Sequence, residues 1–388
     1  MPLPVMTIDG DVVEVHSRWT SDGSRIVTEA TVRGADGDVV VSQLGGTVDG
    51  IGMRQFPGPE PLVVGMTVAV AAHRDVDLAN QEHVVVDDTK VLAYPEGFVR
   101  TGPTKGGKSL HWESGCVFVT VDAAGTADVA GEGEFAVIDA SIATWNDDTA
   151  SCSYLKVMNV GRKAQEVGND KVNLIKFRDT TWGRPAVGGD AARSYDHNAA
   201  GITTATYVDD TTSDRDGAIL DADIELNGVD FAISVNGTSL GTAPCKSDLQ
   251  NTLTHELGHL HGLEHTCWIG SVDPGDVDEQ GNRVPSCNEV QLTPLTPAHQ
   301  KIMTSTMYPT QTCGETSKQV LSPDDIQSMC TIYPTASDPG DCKAVSSSKG
   351  GGCCSAAGSG DDRPDVSFLL AGTVGAILLR RRKARAGA

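Results

Sequence analysis

The chain has 388 residues, enough for two modest domains with cores of their own. It carries 52 Asp+Glu against 30 Lys+Arg, a formal net charge of −22, so its surface repels phosphate backbones and argues against nucleic acid as a partner. Aromatics are 5% and glycines number 43, which suggests a loop-rich protein packed with small residues.

From about Val12 to Val91 the text is strand-like. "RIVTEATVR" alternates, with Ile26, Thr28, Ala30 and Val32 on one side, and "PLVVGMTVAV" and "EHVVVDD" are short β-branched runs between Gly, Pro and Asp. Residues 1–95 are therefore expected to form a small all-β domain, a barrel or sandwich. The Gly/Pro-rich "YPEGFVRTGPTKGGKS" marks a boundary, with residues 96–108 as linker. All ten cysteines lie at or beyond Cys116 without CxxC spacing, which favours disulfides and an oxidising compartment. The opening "MPLPVMTIDGDVVEV" has neither a charged n-region nor an apolar h-region. The expectation is that the true start lies upstream.

Residues 109–335 read as a second, α+β domain. "CVFVTVD" is a strand, and Phe135, Ile138, Ile142 and Trp145 recur at helical spacing. In "AILDADIELNG", Leu220, Ala222, Ile224 and Leu226 alternate with Asp221, Asp223, Glu225 and Asn227. That pattern predicts a half-buried edge strand with an acidic outer face. "LSPDDIQSMCTIYP" predicts a closing helix capped by Ser322, with Pro323 first and Asp324 and Asp325 complementing the dipole. Residues 336–365 are a Ser/Gly-rich linker, and 366–388 hold an apolar span and an Arg-rich end.

Four of the ten histidines fall within "NTLTHELGHLHGLEHTC". Ser247 to Gln250 reads as a capping box, so a helix starts there, with Leu249, Leu253, Leu257 and Leu260 on one stripe. His255 and His259 lie one turn apart on a neighbouring face, Glu256 sits between, and Gly262 ends the helix so that His265 can swing back. Three nitrogens and one open position describe a catalytic zinc site rather than a closed structural one. The string His255-Glu256-x-x-His259-x-x-Gly262-x-x-His265 would arise by chance in such a chain on the order of once in 10⁵ trials. His261 points away from the ligand face and is read as packed or solvated. His16, His73, His83, His111, His197 and His299 lack a partner at ligand spacing.

With these residues the chain resembles a metzincin zinc metalloprotease, matrixin-like within that clan, over about Leu110 to Pro334. The resemblance implies a twisted mixed sheet with an active-site helix and a C-terminal helix. It implies a Met-turn at "STMYPT", with Met307 beneath the metal (Met303 being the runner-up) and Tyr308 and Pro309 lining the substrate pocket. It also implies an extended peptide pairing with the edge strand at Ala222, Asp223 and Ile224. Hydrolysis of protein substrates would use zinc-activated water, with Glu256 as general base. No cysteine precedes Cys116 in this sequence, so latency through a cysteine switch is not expected, and Pro309 stands where astacins carry a tyrosine. "SDRDGAILDAD" is a candidate calcium loop, weighed against a solvated turn. The tail resembles a myxobacterial sorting tag, with Cys353 or Cys354 as the processing position and a span short enough for transient membrane contact. A secreted or envelope-attached protease follows. The rival is a catalytically silent zinc-holding adhesin, which would need the ligands but not Glu256.

Overall fold

The computed structural model describes residues 5–35, 37–56, 58, 62–73, 80–83, 97–188, 190, 192–235, 245–269, 275–291 and 295–345. The sorting tag, apolar span and Arg cluster lie outside the described residues.

In chain order the elements are β1 (Val5–Trp19), β2 (Ile26–Gly34), β3 (Gly37–Leu44), β4 (Gly46–Val48), β5 (Ile51–Phe56), β6 (Thr67–His73), β7 (Asn80–His83) and β8 (Cys116–Asp122). Then follow α1 (Gly133–Asp148), β9 (Lys156–Lys163), β10 (Asn173–Arg178), β11 (Gly183–Arg184), β12 (Arg193–Ser194), β13 (Gly201–Val208), β14 (Ile219–Asn227), β15 (Ala232–Ser234) and β16 (Lys246–Asp248). The helices α2 (Leu249–Leu260), α3 (Cys287–Val290), α4 (Pro297–Met303) and α5 (Pro323–Ile332) complete the chain.

A mixed sheet in the order β4-β5-β13-β14-β10-β8-β9 forms the frame. Its β9, β8, β10 and β14 run parallel, and β13, β5 and β4 add antiparallel. The helices α1 and α2 share its core: Ile138 and Trp145 join Leu253 and Leu257 and the strand residues Val119 and Ile224. Phe135, Ile138, Ile142 and Trp145 are all buried, as their spacing requires. Ser322 caps α5 by accepting from the Asp325 N–H, and Asp325 accepts in return from the Ser322 N–H at 2.9 Å. Both partners are local, so this cap is readable from sequence.

The described residues before 97 form strands only, but they do not stay in one sheet. The order β3-β2-β1-β6-β7 makes an antiparallel sheet whose core includes Val12, Ala30, Val32 and Val68. The intervening β4–β5 hairpin leaves it and pairs with β13. Residues 97–108, expected as a linker, also pack inward: Phe98 and Val99 are buried, and the Thr101 N–H donates to Gly262 O at 2.9 Å. The sheet and these contacts thus tie the expected N-terminal segment to residues 109–335.

The strand carrying Ala222, Asp223 and Ile224 requires a correction. β14 is interior, held by β13 on one side and β10 on the other, so it offers no free edge. Its acidic face is buried as well. Asp221 accepts from the Asp170 and Lys171 N–H groups at 2.8 and 2.7 Å, and Asp223 from those of Gly168 and Leu174 at 2.8 and 3.1 Å. Burial pushes the Asp221 carboxyl up to about 7 and raises Asp223 too. Glu225 meets Arg178 Nε at 2.6 Å and the Tyr195 hydroxyl at 3.0 Å, with Arg184 at 3.5 Å and Arg25, just before β2, at 3.8 Å. Alternation reports that one side of a strand is polar. It does not report whether that side meets water or paired charge.

Among the described residues four disulfides fasten the frame: Cys116–Cys342, Cys152–Cys330, Cys245–Cys313 and Cys267–Cys287. The cysteine count had pointed that way.

Glu225 is the shared anion of a buried cation cluster, so Glu225→Gln should destabilise the fold by about 3–5 kcal/mol, the usual cost of stranding buried charge. The urea midpoint measures this, and a shift under about 1 kcal/mol would show the arginines to be satisfied elsewhere.

Candidate active site

The site is built on α2. The helix begins one residue later than the sequence pattern suggests: Asp248, not Ser247, is the N-cap, accepting from the Asn251 N–H at 2.9 Å. Ser247 belongs to β16, whose pairing with β15 holds the chain extended through Asp248. Its hydroxyl bonds to that of Thr252 at 2.8 Å instead. Leu249, Leu253, Leu257 and Leu260 are each no more than 1% exposed and fix which face of α2 turns inward.

That orientation aims His255 and His259 at one point. Gly262 adopts φ +92°, where a Cβ would also crowd Leu110 O at 2.8 Å, and the Leu263 N–H closes onto Gly258 O at 3.0 Å. The turn returns His265 to the same point. The Nε2 atoms of His255 and His259 lie 3.2 and 3.1 Å from His265 Nε2. Nitrogens about 2.0–2.1 Å from a tetrahedral zinc stand about 3.3 Å apart, so the spacing fits that ion.

The opposite ring atoms settle the tautomers. His255 Nδ1 donates to Thr306 O at 2.6 Å and His259 Nδ1 to Leu263 O at 2.8 Å, leaving each Nε2 as a lone-pair donor. Burial holds His259 down to about 4 and lowers His255 and His265 as well, so all three imidazoles are neutral near pH 7. Among the described residues, these three form the group that could hold a metal. Nothing comparable forms at "SDRDGAILDAD", where Asp221 and Asp223 are engaged with backbone N–H groups, so the calcium expectation gains no support. Among the other histidines, His197 pairs with Asp230 at 2.9 Å and His261 packs at 4.8 Å against the Trp145 ring.

The Met307 segment packs against α2 beside the site. Thr306 O takes the His255 proton, and a Cβ on Gly258 would collide with Met307 Sδ. The glycine between the two helical histidines is therefore required by the methionine's approach. Met303 packs elsewhere, against the cluster of Cys267, Cys287, Val290, Ile302 and Tyr308. Tyr308 is buried there, its hydroxyl accepting from Gln291 Nε2 at 2.7 Å, and Pro309 is half-buried. Buried Lys318 steadies the segment by donating to Tyr308 O and, at 3.1 Å, to Thr310 O. Burial lowers its ammonium to about 8.

Glu256 is 2% exposed, and burial lifts its carboxyl to about 8, opposed by a hydrogen bond from the Thr203 hydroxyl at 2.6 Å. A dication nearby would draw that value down. Gly201 leaves the space the carboxylate occupies, since a Cβ there would lie 2.7 Å from Glu256 Oε1. Neither Thr203 nor Gly201 was evident in the sequence, because they lie more than fifty residues from Glu256 and carry no spacing signal. Phe56 was also missed, and its ring stacks on His259 with centroids 5.0 Å apart.

Residues 224–319, which contain the whole histidine string and Met307, match the Peptidase M43 family model, described as pregnancy-associated plasma protein-A. That is a metzincin-type zinc metalloprotease family. Over those residues the match agrees with the metzincin resemblance, but it is to a pappalysin model and leaves the matrixin-like subtype without support. No curated protein matches the chain.

The histidine geometry predicts about one zinc per chain by elemental analysis. His259→Ala should lose most of it. Gly262→Ala should weaken retention without touching a ligand, because it disturbs the turn that returns His265. Full zinc in His259→Ala would remove that residue from the ligand set.

Proposed function

We propose that this chain is a zinc-dependent endopeptidase acting on proteins, with Glu256 as the general base. The observation that carries the reading is the convergence of three imidazoles, two of which, His255 and His259, already commit their Nδ1 protons to carbonyl oxygens. When bound there, zinc would supply a Lewis acid for the scissile carbonyl and acidify a water molecule. Glu256, adjacent in sequence to His255, accepts the proton from water and returns it to the departing amine. Thr203 holds the carboxylate in place and so acts as a positioning residue. Tyr308 and Pro309 are assigned to the wall of the side-chain pocket. The substrate backbone is assigned to β13, not to Ala222, Asp223 and Ile224 of the interior strand β14. β13 is the outermost strand contributed by residues 109–335 on that side.

The reading places the enzyme outside the cell or at its envelope. Four disulfides favour an oxidising compartment, and among the described residues no helix is long and apolar enough to cross a membrane. The Cys-apolar-Arg tail is read as a sorting tag in transient contact with the membrane, so mass spectrometry of the natural product should find an end near Cys353 or Cys354. An intact Ala388 on the extracellular protein would remove the sorting role.

Glu256→Gln should keep zinc and fold yet lose peptide hydrolysis by about 10²–10⁴-fold or more. The assay is casein cleavage with a chelator control, before and after limited proteolysis frees the N-terminal segment. Equal cleavage by wild type and variant would reject the base. If both hold zinc and neither ever cleaves, a zinc-holding adhesin becomes the better reading.

A further inference from the structure

The edge at which an extended peptide would enter is already filled, and the occupant belongs to this chain. β5 lies antiparallel on β13 through six residue pairs, from Thr203↔Phe56 to Val208↔Ile51. Main-chain pairing of this kind is how an exposed sheet edge captures an extended peptide. Removing β5 would leave β13 as the sheet's edge.

The fit goes beyond the ladder. Phe56 sits opposite Thr203, the residue that holds Glu256, and its ring lies at 12° to that of His259. Phe56 is 2% exposed, so it closes the site over a metal-ligand face. Arg54, two residues back, lies 3.4 Å from Glu264, whose other oxygen accepts from the His265 N–H at 3.0 Å. The hairpin therefore reaches two of the three candidate ligands. Its far end is fastened too: the Thr47 hydroxyl donates to Asp209 at 2.5 Å, and Gly52 has no room for a Cβ beside the Tyr207 ring.

The turn between the strands is shaped for this insertion. Asp49 and Gly50 both take positive φ, 51° and 76°, the combination of a tight two-residue hairpin turn whose twist suits its strands. The hairpin is thus a rigid tongue, not a loose loop that happens to lie nearby.

We propose that the hairpin Gly46–Phe56 is a built-in, substrate-like inhibitor that occupies the peptide-binding edge and must leave β13 before a protein substrate can enter. The inference rests on the endopeptidase reading for its consequence, but not for its geometry. It assigns latency to pairing of main chains plus Phe56 and Arg54, with no thiol involved.

The test uses the full chain carrying Arg54→Glu with Phe56→Gly, which sets like charge against Glu264 and removes the ring. Three quantities are read: amide hydrogen exchange of β13 in the metal-free protein, affinity of the zinc-loaded protein for a peptidyl hydroxamate, and casein cleavage. The expected result is faster exchange in Gly201–Val208 and hydroxamate binding tighter by about tenfold or more, because apparent affinity scales with the fraction of open site. Arg54→Ala is the milder companion if the double variant fails to fold, and it should move both readouts the same way. Wild-type exchange and wild-type affinity in the folded variants overturn the proposal, as does faster exchange without tighter binding. Tighter binding with no cleavage leaves the inhibitor in place and refutes the protease instead.

Discussion

The site depends on two hydrogen bonds that are not themselves catalytic. Thr306 O and Leu263 O each take an Nδ1 proton, and only then do the Nε2 lone pairs of His255 and His259 face a common point. The two acceptors come from different segments, one from the Met307 segment and one from the turn after α2. A large share of the surrounding structure serves to keep them there. Gly262 provides the turn, residues 97–101 brace it from outside, and Lys318 holds the Met307 segment through its carbonyls.

A second constraint is electrostatic. A chain of net charge −22 has acid to spare, yet it buries Asp221, Asp223 and Glu225 on one strand face. Backbone N–H groups satisfy the first two, and Arg25, Arg178 and Arg184 surround the third. Leaving any member unpaired is costly, so this face has a strong preference for the N-terminal residues that cover it. The sheet edge and the buried charges together explain why residues before 97 belong to the same structural frame.

The sequence made local features legible and non-local ones opaque. The histidine string, the α1 stripe and the Ser322–Asp325 cap depend on residues within a few turns of each other, and they were readable. The cap of α2 was misplaced by one residue because β16, a strand pairing at long range, governs where the helix can begin. β14 looked like an edge because alternation registers polarity and not neighbours. The "VDGIGM" turn could have been found, since Asp-Gly between β-forming residues is a strong hairpin signal. Its destination on β13 could not, because nothing local to residues 46–56 records a partner some 150 residues away.

The disulfides have a consequence for the order of maturation. Cys245–Cys313 joins the approach to α2 with the stretch after Met307, and Cys267–Cys287 closes the chain two residues past His265. Both bonds narrow the freedom of the segments that carry ligands or their carbonyl acceptors. Oxidation should thus raise affinity for the metal, and thermodynamic reciprocity requires the bound metal to make these bonds harder to reduce. Thiol oxidation and metal capture are then two halves of one equilibrium, so oxidising conditions favour the finished site.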